Sequence, residues 1–143
     1  MTAAIHAPAP LIEARGLHVF YDESHVLHGI DFSVAAGETV ALIGRNGMGK
    51  TTTLRAILGL VPPRSGTVAI HGSDMTGAPT HRIARAGLGY VPEGRQIFPR
   101  LSVRENLAMA ARPGPGGRAV WTVERVLQTF PRLAERLGHV GTT

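Results

Sequence analysis

The chain has 143 residues, 43% of them hydrophobic, which is one domain's worth of sequence with enough apolar material for a core. No apolar run reaches bilayer-spanning length, zero cysteines exclude disulfides and thiolate metal sites and fit a reducing cytoplasm, and Met1 to Pro10 lacks the basic start and apolar stretch of a secretory signal. The net charge of +5 is spread without a basic run or interleaved aromatics, so solvated positive faces explain it better than direct nucleic-acid binding.

Residues 1–10 read as a disordered tail and 11–143 as the folded part. Leu11 to Tyr21 and Val26 to Val34 alternate β-branched and apolar residues around Asp22-Glu23-Ser24, which predicts an antiparallel pair joined by a turn. His25 and His28 are the closest histidine pair, and with nothing nearby to complete a ligand set they read as strand decoration rather than a zinc site. Ala35-Ala36-Gly37 turns the chain into Thr39-Val40-Ala41-Leu42-Ile43, an apolar run too short for a helix and expected to be a buried strand.

Gly44-Arg45-Asn46-Gly47-Met48-Gly49-Lys50-Thr51 follows, matching the G-x-x-x-x-G-K-[ST] pattern that wraps backbone amides around nucleotide phosphates. Lys50 is the only lysine of the chain, whose fourteen other Lys/Arg positions are all arginine. A compact ammonium suits the β- and γ-phosphates where a planar guanidinium does not. Gly44, Gly47 and Gly49 are expected to use positive φ to close an anion-binding nest. A helix beginning near Lys50, with Leu54, Ile57 and Leu58 at helical spacing and Gly59 near its end, would aim its unpaired amides at the phosphates, with Thr52 in its first turn. The Thr51 hydroxyl is a hard oxygen ligand for Mg²⁺.

Pro62-Pro63-Arg64-Ser65-Gly66 stops that helix, and Thr67 to His71 reads as a strand closed by Gly72. Thr80 is expected to cap a short helix through Ala86, and Leu88-Gly89-Tyr90-Val91 to return as a strand. Ser102-Val103-Arg104-Glu105 is a capping box opening a helix to about Ala111. Residues 112–118 hold two prolines and three glycines and read as a flexible linker before a helical segment at 119–138. There Val120, Val123, Val126, Leu127 and Phe130 share a face, and Pro131 restarts a second short helix.

Taken in order, Tyr21, Gly29-Ile30-Asp31-Phe32-Ser33-Val34, the phosphate loop, Pro63-Arg64-Ser65-Gly66-Thr67-Val68 and Tyr90-Val91-Pro92-Glu93-Gly94-Arg95 resemble the ATP-binding subunit of an ATP-binding-cassette (ABC) transporter. The stretch from Val91 to Leu107, with Phe130-Pro131-Arg132-Leu133, is similar to the subunits that energise branched-chain amino acid importers. The likeness covers about residues 11–143. The loop is shared by many nucleotidases, whereas the Val-Pro-Glu-Gly-Arg stretch is far more restrictive.

That resemblance implies an α/β P-loop NTPase of the ABC ATPase type, here an N-terminal antiparallel β subdomain plus part of the parallel core sheet. It implies ATP and Mg²⁺ as cofactors, held by Tyr21, Gly44, Arg45, Asn46, Gly47, Met48, Gly49, Lys50, Thr51 and Thr52. Tyr21 matches the adenine-stacking aromatic; an edge-strand aromatic also serves as packing. Glu93 stands where most of the family has a glutamine that touches Mg²⁺ and the attacking water, and it also reads as a turn residue after Pro92. Residues 94–107 match the surface that receives a helix of the integral membrane permease, while Ile97, Phe98 and Leu101 there would equally suit a core. A second ABC ATPase subunit is the other implied partner, and the implied location is peripheral, on the cytoplasmic face of the inner membrane.

After a segment like Gly141-Thr142-Thr143 the family's pattern continues into a Ser-Gly-Gly signature, an apolar strand ending in Asp-Glu and a switch histidine, so this chain resembles the N-terminal part of a longer protein. Beyond Glu93 there is no aspartate, and Glu105, Glu124 and Glu135 lie in helical patterns, which leaves these residues alone catalytically incompetent on this reading. A urea or short-amide importer subunit, a non-catalytic nucleotide-binding fragment and a soluble phosphotransferase are the other readings. The Val-Pro-Glu-Gly-Arg stretch counts against the last.

Overall fold

The computed structural model describes residues 10–94, 96–114 and 117–141. The expected tail lies outside them except for Pro10, as do Arg95 and the central Pro115 and Gly116 of the expected linker. Two compact units divide at Tyr90 and Val91.

In the first unit, strands β1 (Ile12–Tyr21) and β2 (Ser24–Val34) form the expected hairpin. Asp22 takes the turn with φ 50°, a left-handed conformation that aspartate tolerates better than most residues. Strand β3 (Ser65–Ile70) pairs with the other edge of β1, and the short β4 (Ser73–Asp74) pairs with β3. The sheet order is β2-β1-β3-β4 and every pairing is antiparallel. A bulge at Arg15 and Gly16 shifts the register against both neighbours, and the Asp31 carboxylate accepts the Gly16 amide at 2.7 Å.

Helix α1 (Lys50–Ile57) covers one face of this sheet, placing Ala56 and Ile57 against Leu17, Val19, Leu27 and Val68. Each fully buried aliphatic side chain of that cluster contributes about 1.5–3 kcal/mol relative to exposure. The smaller cluster of Ile70, Ala78 and Ile83 brings in α2 (Thr80–Arg85), with Met75 and Leu88 packed beside it. The cap of α2 differs from expectation: Pro79 is the N-cap in extended conformation, Thr80 is already helical, and no side-chain oxygen caps the first turn. Proline serves there because its φ of −65° is an ordinary value for extended backbone.

The segments 39–43 and 88–91 carry no ladder hydrogen bonds, so the two further strands expected from their apolar runs are not formed among the described residues. A strand needs a neighbour to satisfy its amides and carbonyls, and neither segment pairs with a described strand. Ile43, at 92% exposure, has the apolar character of a core strand without a covering layer.

The second unit holds α3 (Val103–Ala110), α4 (Val123–Thr129) and α5 (Pro131–Ala134). The capping box forms: the Glu105 amide donates to Ser102 Oγ at 3.2 Å, and Glu105 Oε2 accepts the Ser102 amide at 2.7 Å. Thr122 caps α4 by accepting the Arg125 amide at 3.2 Å. Of the expected apolar face, Val123, Val126 and Leu127 are half-buried, while Val120 and Phe130 are exposed.

Candidate functional site

The chain enters the phosphate loop after Ile43 and leaves it as α1. Gly47 and Gly49 both take φ 83°, where a Cβ is disfavoured, and Gly49 is the N-cap of α1. Gly44 is not in that region, so the loop draws on positive φ at two of its three glycines rather than at all three. The Met48 amide donates to the Arg45 carbonyl at 3.3 Å, closing the tip. Gly49 O then accepts both the Thr53 amide at 2.8 Å and Thr53 Oγ1 at 3.0 Å, which locks the loop to the first helical turn.

Helix α1 begins without a side-chain cap and without an acidic residue in its first turn. Among the described residues, the amides of Gly47, Gly49, Lys50, Thr51 and Thr52 meet no acceptor. Such a row of free donors at the positive end of a helix fits an anion with several oxygens. Lys50 Nζ donates to the carbonyls of Gly44 and Arg45 at 2.7 and 2.8 Å, so its ammonium is folded back over the loop. Arg45, Asn46, Met48 and Thr51 are exposed, and Thr52 is buried beneath them. The Thr51 hydroxyl, open at the helix start, suits a hard cation held jointly with phosphate oxygens.

The loop is an exposed surface feature rather than a closed cavity. A separate open hollow of about 500 Å³ lies at the β1 bulge among Glu13, Arg15, Asp31 and Ser33.

Tyr21 ends β1 opposite Ser24 and is 39% exposed, a surface position in the same unit as the loop. Glu93 belongs to the second unit, where it is exposed in a bend. Beside it in that unit, Ile97 and Phe98 are more than half exposed and Leu101 is half-buried, so the first two are not core residues of their own unit.

Two residues to which the motif assigns no role stand out. Asn106 holds the segment before α3: its Oδ1 accepts the Phe98 amide at 2.9 Å, and its Nδ2 donates to the carbonyls of Phe98, Leu101 and Ser102 at 3.0–3.2 Å. Leu27, 2% exposed on β2, lies under Gly49. Neither has a local signal, because both act through partners distant in sequence or through side-chain geometry.

The histidines cluster more than their spacing indicates. His18 Nδ1 and His25 Nε2 are 3.0 Å apart, and the His25 ring stacks on Phe20 and lies 3.7 Å from that of His28, centroid to centroid. Desolvation, reinforced by His28, His18 and Arg64, holds the His25 pKa below the usual imidazole value. Among the described residues, no group of three or more His, Cys, Asp or Glu is arranged to hold a metal ion. Nor is any described helix long and apolar enough to cross a membrane.

Residues 27–141 match the family described as ABC transporter. A high-affinity branched-chain amino acid transport ATP-binding protein, BraG of Pseudomonas aeruginosa, is 39% identical over 117 residues, covering 82% of this chain and 50% of that protein. The lipopolysaccharide export ATP-binding protein LptB of Escherichia coli is 41% identical over 96 residues, covering 67% of this chain and 40% of that one. A solved ATP-binding subunit of an ABC transporter superposes with a TM-score of 0.73 at 33% identity, covering 91% of this chain and 54% of that one. The chain thus spans half or less of the length of these curated relatives. Agreement running from Leu27 to Gly141, rather than the loop alone, places this chain in the ABC transporter family.

Proposed function

We propose that this chain is the nucleotide-binding portion of an ATP-binding subunit that energises import of branched-chain amino acids by binding and hydrolysing ATP. The observation that carries the reading is the loop itself: two left-handed glycines, free amides at the start of α1 and the Lys50 ammonium poised over the Gly44 and Arg45 carbonyls.

On this reading residues 44–52 cradle the phosphates, and Lys50 exchanges its carbonyl partners for β- and γ-phosphate oxygens. Tyr21 stacks on adenine, Thr51 supplies one hydroxyl to Mg²⁺, and Glu93 serves metal and water. Bound Mg²⁺ neutralises charge on the phosphate oxygens. Residues 94–107 receive a permease helix, a second ATP-binding subunit completes the assembly, and the protein sits peripherally on the cytoplasmic face of the inner membrane. The likeness to BraG and the Val91–Leu107 stretch favour branched-chain amino acids as the solute. The likeness to LptB favours a second reading, lipopolysaccharide export.

Replacing Lys50 by Ala in the gene at its natural locus separates the two. Uptake of radiolabelled leucine, isoleucine and valine should fall to the level of a strain lacking the gene. Normal uptake with reduced surface lipopolysaccharide would transfer the assignment to export, and no change in either would overturn both.

A further inference from the structure

The geometry points to Leu27 as a positioning residue for the phosphate loop, an inference that rests on the nucleotide-binding reading above. Gly49 is wedged between β2 and the first turn of α1. A Cβ added at Gly49 would lie 2.6 Å from Leu27 Cδ2, closer than carbon atoms approach one another, but 3.5 Å or more from Val26. Leu27 is therefore the floor on which the loop rests as it turns into the helix.

That floor is itself immobilised. Leu27 pairs with Val19 of β1, which is fully buried, and both belong to the cluster that packs Ala56 and Ile57 of α1. Two residues beyond Val19, past a register shift between Val19 and Phe20, Tyr21 ends the same strand. One hairpin thus carries both the aromatic proposed to meet the base and the side chain that fixes where the phosphate amides begin. Its stiffness sets the spacing between the two ends of a bound nucleotide.

A merely structural leucine and a positioning leucine differ in how they couple to Gly49. The test uses the full 143-residue chain, a fluorescent ATP analogue with Mg²⁺, and the variants Gly49→Ala, Leu27→Val and the double substitution. Valine keeps the site apolar but removes Cδ2, so folding should be preserved, and the thermal transition of each variant checks this. Gly49→Ala should weaken binding by more than about 30-fold, since left-handed strain by itself accounts for about 5- to 30-fold and the Leu27 contact adds to it. Leu27→Val alone should weaken binding about threefold to tenfold through a loosened loop. Introduced into Gly49→Ala, the same Leu27→Val change should reverse sign and recover about fivefold or more. Independent, additive effects would overturn the proposal.

Hydrogen exchange of the Thr53 amide, which is bonded to Gly49 O, gives a readout that needs no nucleotide. Its protection should drop in Gly49→Ala and return in the double variant. If the wild-type chain fails to bind the analogue while this exchange pattern holds, the nucleotide reading falls and the positioning role stands. An unchanged exchange pattern refutes the positioning role whatever the nucleotide does.

Discussion

Replacing Lys50 by Ala removes an ammonium that spans the Gly44 and Arg45 carbonyls at 2.7 and 2.8 Å. Both contacts are on the surface and water can replace them, so the thermal transition should move by no more than a few degrees. Nucleotide binding should respond far more strongly. A hydrogen bond to a charged partner is worth about 1.5–3 kcal/mol net. Because water replaces the exposed carbonyl bonds at little cost, truncation loses two such bonds to phosphate oxygens, about 3–6 kcal/mol, or at least about 100-fold in Kd. A titration with a fluorescent Mg-ATP analogue, alongside calorimetric melting of both proteins, measures the two quantities separately. Lys50→Arg keeps the charge but not the compact shape, and should recover only a small part of the affinity. A Kd within threefold of wild type for Lys50→Ala, with melting unchanged, would refute the placement of Lys50 against phosphate.

Thr51→Ala should weaken the Mg²⁺ dependence of analogue binding while sparing part of the metal-free affinity, and equal losses with and without Mg²⁺ would contradict a metal role. Gly66, at φ 96° and pressed against the Arg15 and Gly16 carbonyls of β1, cannot accept a methyl group without parting β1 from β3. Gly66→Ala should therefore destabilise the first unit by at least about 2 kcal/mol in urea melts, and a smaller loss would mean that the strands give way locally. Hydrogen bonds from the Ser102 hydroxyl and amide hold the Glu105 pKa below the usual carboxylate value. A pKa lowered by folding stabilises the folded state at pH above the unfolded value, and that contribution disappears as pH falls through the folded value. Exchange protection in α3 should accordingly fall on acidification below about pH 4.5, with Ser102→Ala flattening the profile. An identical pH profile in both proteins would remove the capping box from the explanation.

The β1–β2 hairpin, the phosphate loop, the start of α1 at Lys50 and the Ser102 capping box are all determined by residues within a few positions of one another. Turn chemistry, glycine at left-handed φ and side-chain caps act locally, so the amino-acid order suffices to specify them. Tertiary structure decided the rest. Thr39–Ile43 has the composition of a strand, yet a strand exists only where another chain segment offers its hydrogen bonds, and composition carries no record of that partner. Leu27 beneath Gly49, Gly66 against β1 and Asn106 binding the Phe98–Ser102 segment depend on how backbone segments approach one another. At Gly49 both kinds of determination meet: the motif demands glycine there, and the side chain of a strand more than twenty residues earlier shows why nothing larger fits.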